Sequence, residues 1–308
     1  MASIPYITDT YLDGKSHKET AFSLANAADF YRLFRPGGTV PKDVVKTANS
    51  VEATGKMFKL KGIQFGNWTT TEDRHDYLAL TYLCLTDMNK VLKFKNNNLG
   101  LDGKLAFSFG SRGSGGALGH YESNNQVINI TRYWRTDKIN RIRESFGKPP
   151  LLFIPKSERF EKTGGAGSFA HEYGHFLDYT FGRYIAVSKD SNWLTGPYRT
   201  TSITIEEQNH PLRKLTKEVM DAILLDSKGN RSAYSKRIQK EGEYWNRRLE
   251  VFARFFEQYI SFKLSKLKIT NKFLAKPVYR SSVYLNNKEF AKVVPKMDKL
   301  VAEMRKYT

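Results

Sequence analysis

The chain has 308 residues, of which 40% are hydrophobic and 13% are aromatic, a composition typical of globular proteins. No apolar run approaches the roughly 18 residues of a membrane-spanning helix. The N-terminus lacks the basic and then apolar pattern of a secretion signal, so we expect no association with a membrane. The single cysteine, Cys84, excludes a disulfide within the chain and fits a reducing compartment.

Positive charge is in excess, since 50 Lys and Arg stand against 31 Asp and Glu and give a formal net charge of +19. Such an excess favours contact with a polyanion such as nucleic acid. The alternative is a basic surface that serves solubility alone, because the charge is spread along the chain and is not gathered in one arm.

The first 50 residues are predicted to form a helical lead that ends in a glycine-containing turn. Residues 56–70 carry alternating and aromatic side chains, which predicts one or two strands. Residues 72–93 have the mostly apolar pattern of a long buried helix, and Cys84 within it is interpreted as a buried thiol.

A hairpin is predicted next. Residues 105–109 read as a strand, and a glycine-rich run follows that lacks the Gly-Lys-Ser/Thr of a phosphate-binding loop. Two more strands, 120–122 and 127–132, are joined by a short polar turn. The edge strand of this hairpin could pair with an extended peptide, or the hairpin could be purely structural. Residues 135–162 are basic and polar and are interpreted as an insertion.

The sequence His171-Glu172-Tyr173-Gly174-His175 contains a His-Glu-x-x-His pattern. On a helix, residues i and i+4 lie on one face, so His171 and His175 can hold one metal ion. Glu172 lies about 100° around the helix and can reach a water on that metal. Imidazoles with an oxygen ligand suit Zn²⁺. Ser168 is predicted to cap the helix and Gly182 to end it. The alternative is a chance occurrence of a short pattern.

A second helix, predicted over residues 243–260, offers a third ligand. Glu250 and Glu257 both border its apolar stripe, where a carboxylate is costly unless it is paired or bound to a metal. The two residues are two turns apart, about 10 Å along the axis, and can hardly bind the same ion. Either could be the ligand, and for each the alternative is a solvated or salt-bridged helix face.

Two further polar residues are candidates around the metal. Asp178 lies one turn after His175 and is better placed to accept a hydrogen bond that orients a histidine than to bind the metal itself. His120, on a predicted strand, could touch a substrate, and a hydrogen-bonded structural histidine is an equally good interpretation.

Several separated motifs together resemble a known family. They are residues 107–113, 119–122, 127–132, 164–178 and 250–257. These motifs closely resemble the large polyvalent protein-associated domain of the first type, a predicted zincin-like peptidase domain of phages and other mobile elements. The likeness covers roughly residues 56–182 and 240–300, and the basic insertion departs from it. A more distant resemblance is to the catalytic domain of anthrax lethal factor, in which the position of Glu250 matches the third metal ligand.

The resemblance implies an α+β, zincin-like (gluzincin) domain over residues 51–308, with a small mixed sheet, an active-site helix and a second ligand-bearing helix. His171, His175 and Glu250 would bind zinc, and Glu172 would act as general base in peptide hydrolysis. Tyr244 matches a tyrosine that helps stabilise the oxyanion in lethal factor, although aromatic packing explains it as well. Glu257 would then lie near the site without binding the metal.

Three functions follow from these observations. The first is a zinc endopeptidase that acts on host or phage proteins, in the cytoplasm of a bacterial host or carried in a phage virion. The second is a DNA-associated protease that uses the basic surface to reach proteins bound to nucleic acid. The third is a virion or other structural protein with a vestigial zinc site. An intact motif with a third glutamate argues against the third.

Overall fold

The computed structural model describes most of the chain after residue 50. The described residues are 33–36, 51–66, 69, 71–110, 117–131, 136–152, 155–163, 165–187, 193–196, 203–279 and 281–308. The helical lead expected for residues 1–50 therefore lies almost entirely outside the described residues, as does most of the glycine-rich run that follows residue 109.

The described strands form one mixed sheet of four strands, in the order β1-β2-β4-β3. They are β1 (Gly62–Phe65), β2 (Ala106–Phe109), β3 (Gly119–Glu122) and β4 (Val127–Ile130). β1 pairs parallel with β2 and β2 pairs parallel with β4, whereas β3 is antiparallel to β4. The hairpin of β3 and β4 and the small mixed sheet are thus confirmed. β3 lies at one edge.

Helices make up the larger part of the described residues. They are α1 (Val51–Phe58), α2 (Thr71–Leu92), α3 (Thr136–Ser145), α4 (Lys156–Thr163), α5 (Phe169–Ile185), α6 (Ile205–Asn209), α7 (Pro211–Leu224), α8 (Ala233–Gln239), α9 (Glu243–Asn246), α10 (Arg248–Lys266) and α11 (Asn287–Met304). Among the described residues, no helix has the length and hydrophobicity to cross a membrane.

Two predicted elements differ from the structure. The alternating pattern at residues 56–70 yields only the short strand β1, because its first residues complete helix α1. The helix predicted over residues 243–260 is two helices, α9 and α10, separated by Arg247 with an extended backbone (φ −60°, ψ 132°). The resulting bend turns α9 away from the axis of α10.

One face of the sheet forms the core with α2 and α5. Alternation along the strands places Phe107 and Phe109 on this face, next to Ile128 and Ile130 of β4. The Phe107 ring stacks on Phe169 of α5 at 4.9 Å between centroids, and Phe109 stacks on Tyr77 of α2 at 4.7 Å. Helix α5 is therefore anchored to the sheet at its first residue, Phe169.

The predicted basic insertion contains two helices, α3 and α4. None of the residues of α3 is buried, and Phe146, just after it, is 75% exposed. The cations Lys138, Arg141 and Arg143 lie on this helix. Asp137, which lies 3.4 Å from Arg141, and Glu144 offset part of this charge, so the helix presents a mildly basic surface to solvent.

Candidate metal centre

The start of α5 is determined by a turn that ends immediately before the motif. Gly165 and Gly167 have positive φ values of 78° and 83°, which other residues rarely adopt. Ser168 stands at the N-cap as predicted, but its hydroxyl donates to the Gly165 carbonyl (2.7 Å) and caps no helical N–H group. The first turn of α5 thus carries His171 and Glu172 at a fixed distance from the sheet.

The predicted end of α5 at Gly182 is wrong, since the helix continues to Ile185. A Cβ at Gly182 would lie 2.7 Å from backbone atoms of Trp193 and Leu194. Glycine is therefore required here for the close approach of a neighbouring segment, residues 193–196.

The two histidines and Glu250 come together between α5 and α10. His171 Nε2 lies 3.4 Å from Glu250 Oε2, and His175 Nε2 lies 3.5 Å from Glu250 Oε1. One ligand atom from each residue lies within 4.8 Å of the others. Among the described residues, the buried Glu250 Oε2 has no partner with hydrogen-bond geometry.

These distances fit a zinc ion. Zn–N and Zn–O bonds of roughly 2.0–2.1 Å in a tetrahedron place neighbouring ligand atoms about 3.3–3.4 Å apart. The separations of 3.4 and 3.5 Å, one to each oxygen of Glu250, have that size, and one ligand atom from each of the three residues lies within 4.8 Å of the others. Two imidazoles and one carboxylate also leave a fourth position for water or substrate, as in catalytic zinc sites. The donor set therefore suits the group that the sequence predicts.

The pKa shifts favour the metal-binding forms of His171 and Glu250 but not that of His175. Burial lowers the pKa of His171 to about 4, so its ring is neutral near pH 7. Burial alone would raise the pKa of Glu250, but the two imidazoles outweigh it and lower this pKa. For His175, the Glu250 carboxylate overcomes the effect of burial and raises the pKa. A metal would have to displace a proton from His175 at acidic pH.

The close crossing of α5 and α10 is what brings the ligands within reach. A Cβ at Gly174 would lie 3.2 Å from Ala253 Cα and 3.2 Å from Phe256 Cδ1. Only glycine at this position and a small residue opposite let the helices approach so closely. Gly174, in the middle of the motif, is a site residue that sequence reasoning missed.

Glu172 lies beside the edge strand. Its side chain is buried (6% exposed). A Cβ at Gly119 would lie 3.2 Å from Glu172 Cγ. Burial outweighs a small lowering of the pKa by the nearby backbone of Tyr121 in β3 and raises the pKa of Glu172 to about 7. A carboxylate with this pKa can take up a proton near neutral pH.

Glu257 lies behind His171 and not beside Glu250. Its Oε2 is 3.8 Å from Nδ1 of His171, on the opposite edge of the ring from Nε2. Tyr284 donates its hydroxyl to Oε2 (3.0 Å), and the backbone N–H of Lys276 donates to Oε1 (3.4 Å). Glu257 is 1% exposed, so its carboxylate is held among these partners. Its carboxylate is thus close to His171 but beyond hydrogen-bond distance of the ring.

Asp178 has a different partner from the one expected. Its oxygens accept from the backbone N–H and the hydroxyl of Thr195, at 2.9 and 2.8 Å. Within the described part of the chain, Nδ1 of His175 has no hydrogen-bond partner. The side chain of Asp178 therefore fastens residues 193–196 to α5. This places the Trp193 ring 6.3 Å from that of His175.

Tyr244 and His120 differ in their relation to the metal ligands. Tyr244, on α9, is half-exposed and lies close enough to Glu250 for that charge to affect its pKa. Burial and then the Glu250 charge raise the pKa of Tyr244, so the hydroxyl keeps its proton. His120 Nε2 lies 3.3 Å from the Glu122 carboxylate on the same strand. That contact favours the structural interpretation of His120.

Arg254 is a second residue that sequence reasoning missed. It is 2% exposed and lies 3.9 Å from Glu250 Oε2, while its guanidinium covers the Trp245 ring at 5.3 Å. It also donates to the carbonyls of Trp245 and Val283. An arginine one turn after Glu250, inside an apolar stripe, was the available signal.

The fold and the site together describe an α+β protein with a candidate metal centre of two histidines and one glutamate. Residues 236–308 match the family model of the large polyvalent protein-associated domain 1. The matched segment includes Glu250 and Glu257 and excludes the two histidines. The suspected family is thus confirmed for this part of the chain. No curated protein and no solved structure matches the chain.

Proposed function

We propose that this protein is a zinc-dependent endopeptidase with a zincin-like, gluzincin-type domain. The observation that carries the proposal is the meeting of two imidazole Nε2 atoms and one carboxylate at 3.4 and 3.5 Å, with a buried glutamate beside them. Phage or mobile-element origin, and action on a protein in a bacterial host or a virion, belong to the same proposal.

The residues have distinct tasks in this reaction. His171, His175 and Glu250 would hold zinc, which when bound acts as a Lewis acid toward a water and the substrate carbonyl. Glu172 takes a proton from the attacking water and delivers it to the leaving amine. Tyr244 donates a hydrogen bond to the carbonyl oxygen as negative charge develops there.

The edge strand supplies a place for the substrate. β3 pairs with β4 on one side only, among the described strands, and its Gly119 lies against Glu172. An extended peptide that adds to the free edge of β3 would run alongside α5 and place a carbonyl near the metal ligands. This arrangement favours an unfolded or extended protein segment as the substrate.

The test combines metal content with cleavage of an unbiased peptide library. Wild-type protein should hold about one zinc per chain and cleave a subset of peptides. Glu172→Gln keeps the shape of the side chain but cannot accept the proton, so turnover should fall by about 10²–10⁴-fold with zinc content unchanged. A chain that binds zinc but cleaves no peptide would instead be a metal-stabilised structural protein.

A second candidate function, association with nucleic acid, is favoured by the exposed helix α3. Its cations Lys138, Arg141 and Arg143 lie on a helix without a buried residue. Binding to duplex DNA should weaken as salt rises, and the combined Arg141→Gln and Arg143→Gln change should reduce the log–log salt slope by about two. Lys228→Gln, in an exposed turn elsewhere, is a control for the loss of one charge. Binding that does not depend on salt would exclude this role.

A further inference from the structure

A polar cleft lies at the end of β3, beside the C-terminal half of α5. Its volume is about 460 Å³, and its lining includes two exposed cations, Lys104 and Arg183. Hydroxyl groups of Ser123, Tyr179 and Thr180 also line it, together with the carboxamides of the β3–β4 turn. None of the described residues that line it has a carboxylate. The cleft therefore offers many hydrogen-bond donors and a positive charge.

Nearby carboxylates have partners of their own. Glu122, the last residue of β3, accepts from Asn125 (3.0 Å) and lies 3.3 Å from His120. Asp102, near Lys104, accepts from Lys59 at 3.0 Å. These two groups reduce the positive potential of the cleft, and the described residues that line it include no further acid.

The cleft continues the line of the candidate active site. Glu172, Tyr179 and Arg183 are spaced i, i+7 and i+11 along α5, which places them on one face. The Tyr179 ring packs against Trp193 at 5.2 Å, and Trp193 in turn lies 6.3 Å from His175. A continuous wall of the site thus leads from the metal ligands to the cleft.

The distance along α5 from His175 to Arg183 indicates which residue of a bound peptide would reach the cleft. Arg183 is eight residues past His175, about 12 Å at 1.5 Å per residue. An extended peptide covers that distance in three to four residues at about 3.3 Å each. β3 runs in the same direction as α5, since Gly119 lies at Glu172 and the β3–β4 turn lies at Thr180. A peptide antiparallel to β3 therefore has its N-terminal side at the cleft.

We propose that this cleft binds an acidic side chain of the substrate, three or four residues N-terminal to the bond that is cleaved. The inference rests on the proposed peptidase function and adds the substrate class. Arg183 and Lys104 are the specificity-determining residues, and they act by pairing with the carboxylate of an Asp or Glu.

The experiment moves one Glu through each position of a neutral peptide that the zinc-loaded protein cleaves, with Gln at the same position as the reference. The Glu-over-Gln ratio of kcat/KM should reach about 2- to 5-fold only at the third or fourth position before the cleaved bond. Arg183→Gln should lower this ratio, and the combined Arg183→Gln and Lys104→Gln change should bring it close to one. Lys228→Gln, which removes the same charge from a distant exposed turn, should keep it.

The outcomes separate this inference from the peptidase proposal. A ratio that is the same in Arg183→Gln, or that shows no preferred position, overturns the cleft's role while cleavage itself stands. Should no peptide be cleaved, the peptidase proposal fails, and the same peptides are then bound to zinc-loaded Glu172→Gln and followed by fluorescence anisotropy. Tighter binding of the Glu peptide that Arg183→Gln reduces supports the cleft, and equal binding of both peptides refutes it.

Discussion

Replacing Gly174 with alanine tests whether the close helix crossing builds the metal centre. The new Cβ would lie 3.2 Å from Ala253 Cα, 3.2 Å from Phe256 Cδ1 and 3.3 Å from Phe256 Cβ. Ordinary contacts are longer by a few tenths of an ångström, so α5 and α10 must move apart by about that much. Overpacking of this kind costs about 1–3 kcal/mol, whereas the gain in helix propensity over glycine is at most about 1 kcal/mol.

The matched control is Gly55→Ala in α1. A Cβ at Gly55 meets nothing within 4 Å, so this variant should gain about 0.5–1 kcal/mol of unfolding free energy. Gly174→Ala should instead lose up to about 2 kcal/mol, a difference of about 1–3 kcal/mol between the two variants. Urea denaturation of the metal-free proteins measures this difference.

Zinc affinity gives the second measurement on the same pair. The separations of 3.4 and 3.5 Å between imidazoles and carboxylate depend on how closely the helices approach. Moving them apart should weaken zinc binding on the order of tenfold in Gly174→Ala, as changes around ligands commonly do, and should leave Gly55→Ala unaffected. A Gly174→Ala protein as stabilised as the control, with wild-type zinc affinity, would refute the reasoning.

Three other predictions concern single side chains. Glu250→Gln should lose most of the zinc, whereas Glu257→Gln should retain a larger share of it. Competition with a chelator measures both, and the reverse order would make Glu257 the metal ligand. Burial raises the folded-state pKa of Asp178 from 3.8 to about 6, so the folded protein binds the extra proton and wild type loses stability as pH rises from about 4 to 6. Relative to wild type, metal-free Asp178→Asn should therefore gain up to about 3 kcal/mol over that interval and no more above it, in urea titrations at several pH values. Cys84 is fully buried with a raised pKa, so a thiol reagent should label it only as fast as the protein unfolds, and rapid labelling would contradict its position.

Local patterns were enough to predict several elements and to place two candidate ligands on one face of a helix. The apolar periodicity of α2 and α10, the β-branched strand β4 and the spacing of His171 and His175 are properties of neighbouring residues. Each of these features could therefore be predicted from a short stretch of sequence. An edge strand in this part of the sheet was also predicted, but the pattern did not indicate that β3 and not β4 would be that strand.

Contacts between distant residues could not be predicted in the same way. The carboxylate of Glu257 is held by the hydroxyl of Tyr284, 27 residues further on, and that of Asp178 is held by Thr195. Gly182 has the appearance of a helix end in the sequence, yet a second backbone passes against it. In each case the partner lies in a segment that is distant in sequence. Its position depends on tertiary packing, which periodicity and spacing cannot predict.

The division of the metal ligands between two helices has a consequence for chain topology. His175 and Glu250 are separated by 75 positions, so an ion held by both would join the ends of a long loop, much as a covalent cross-link does. Closing such a loop costs the unfolded chain conformational entropy, and this cost grows only slowly with loop length. Neither half of the chain carries the complete ligand set. A backbone cut between α5 and α10 would therefore leave two pieces that hold the ion only when they associate, and zinc retention would report that reassembly.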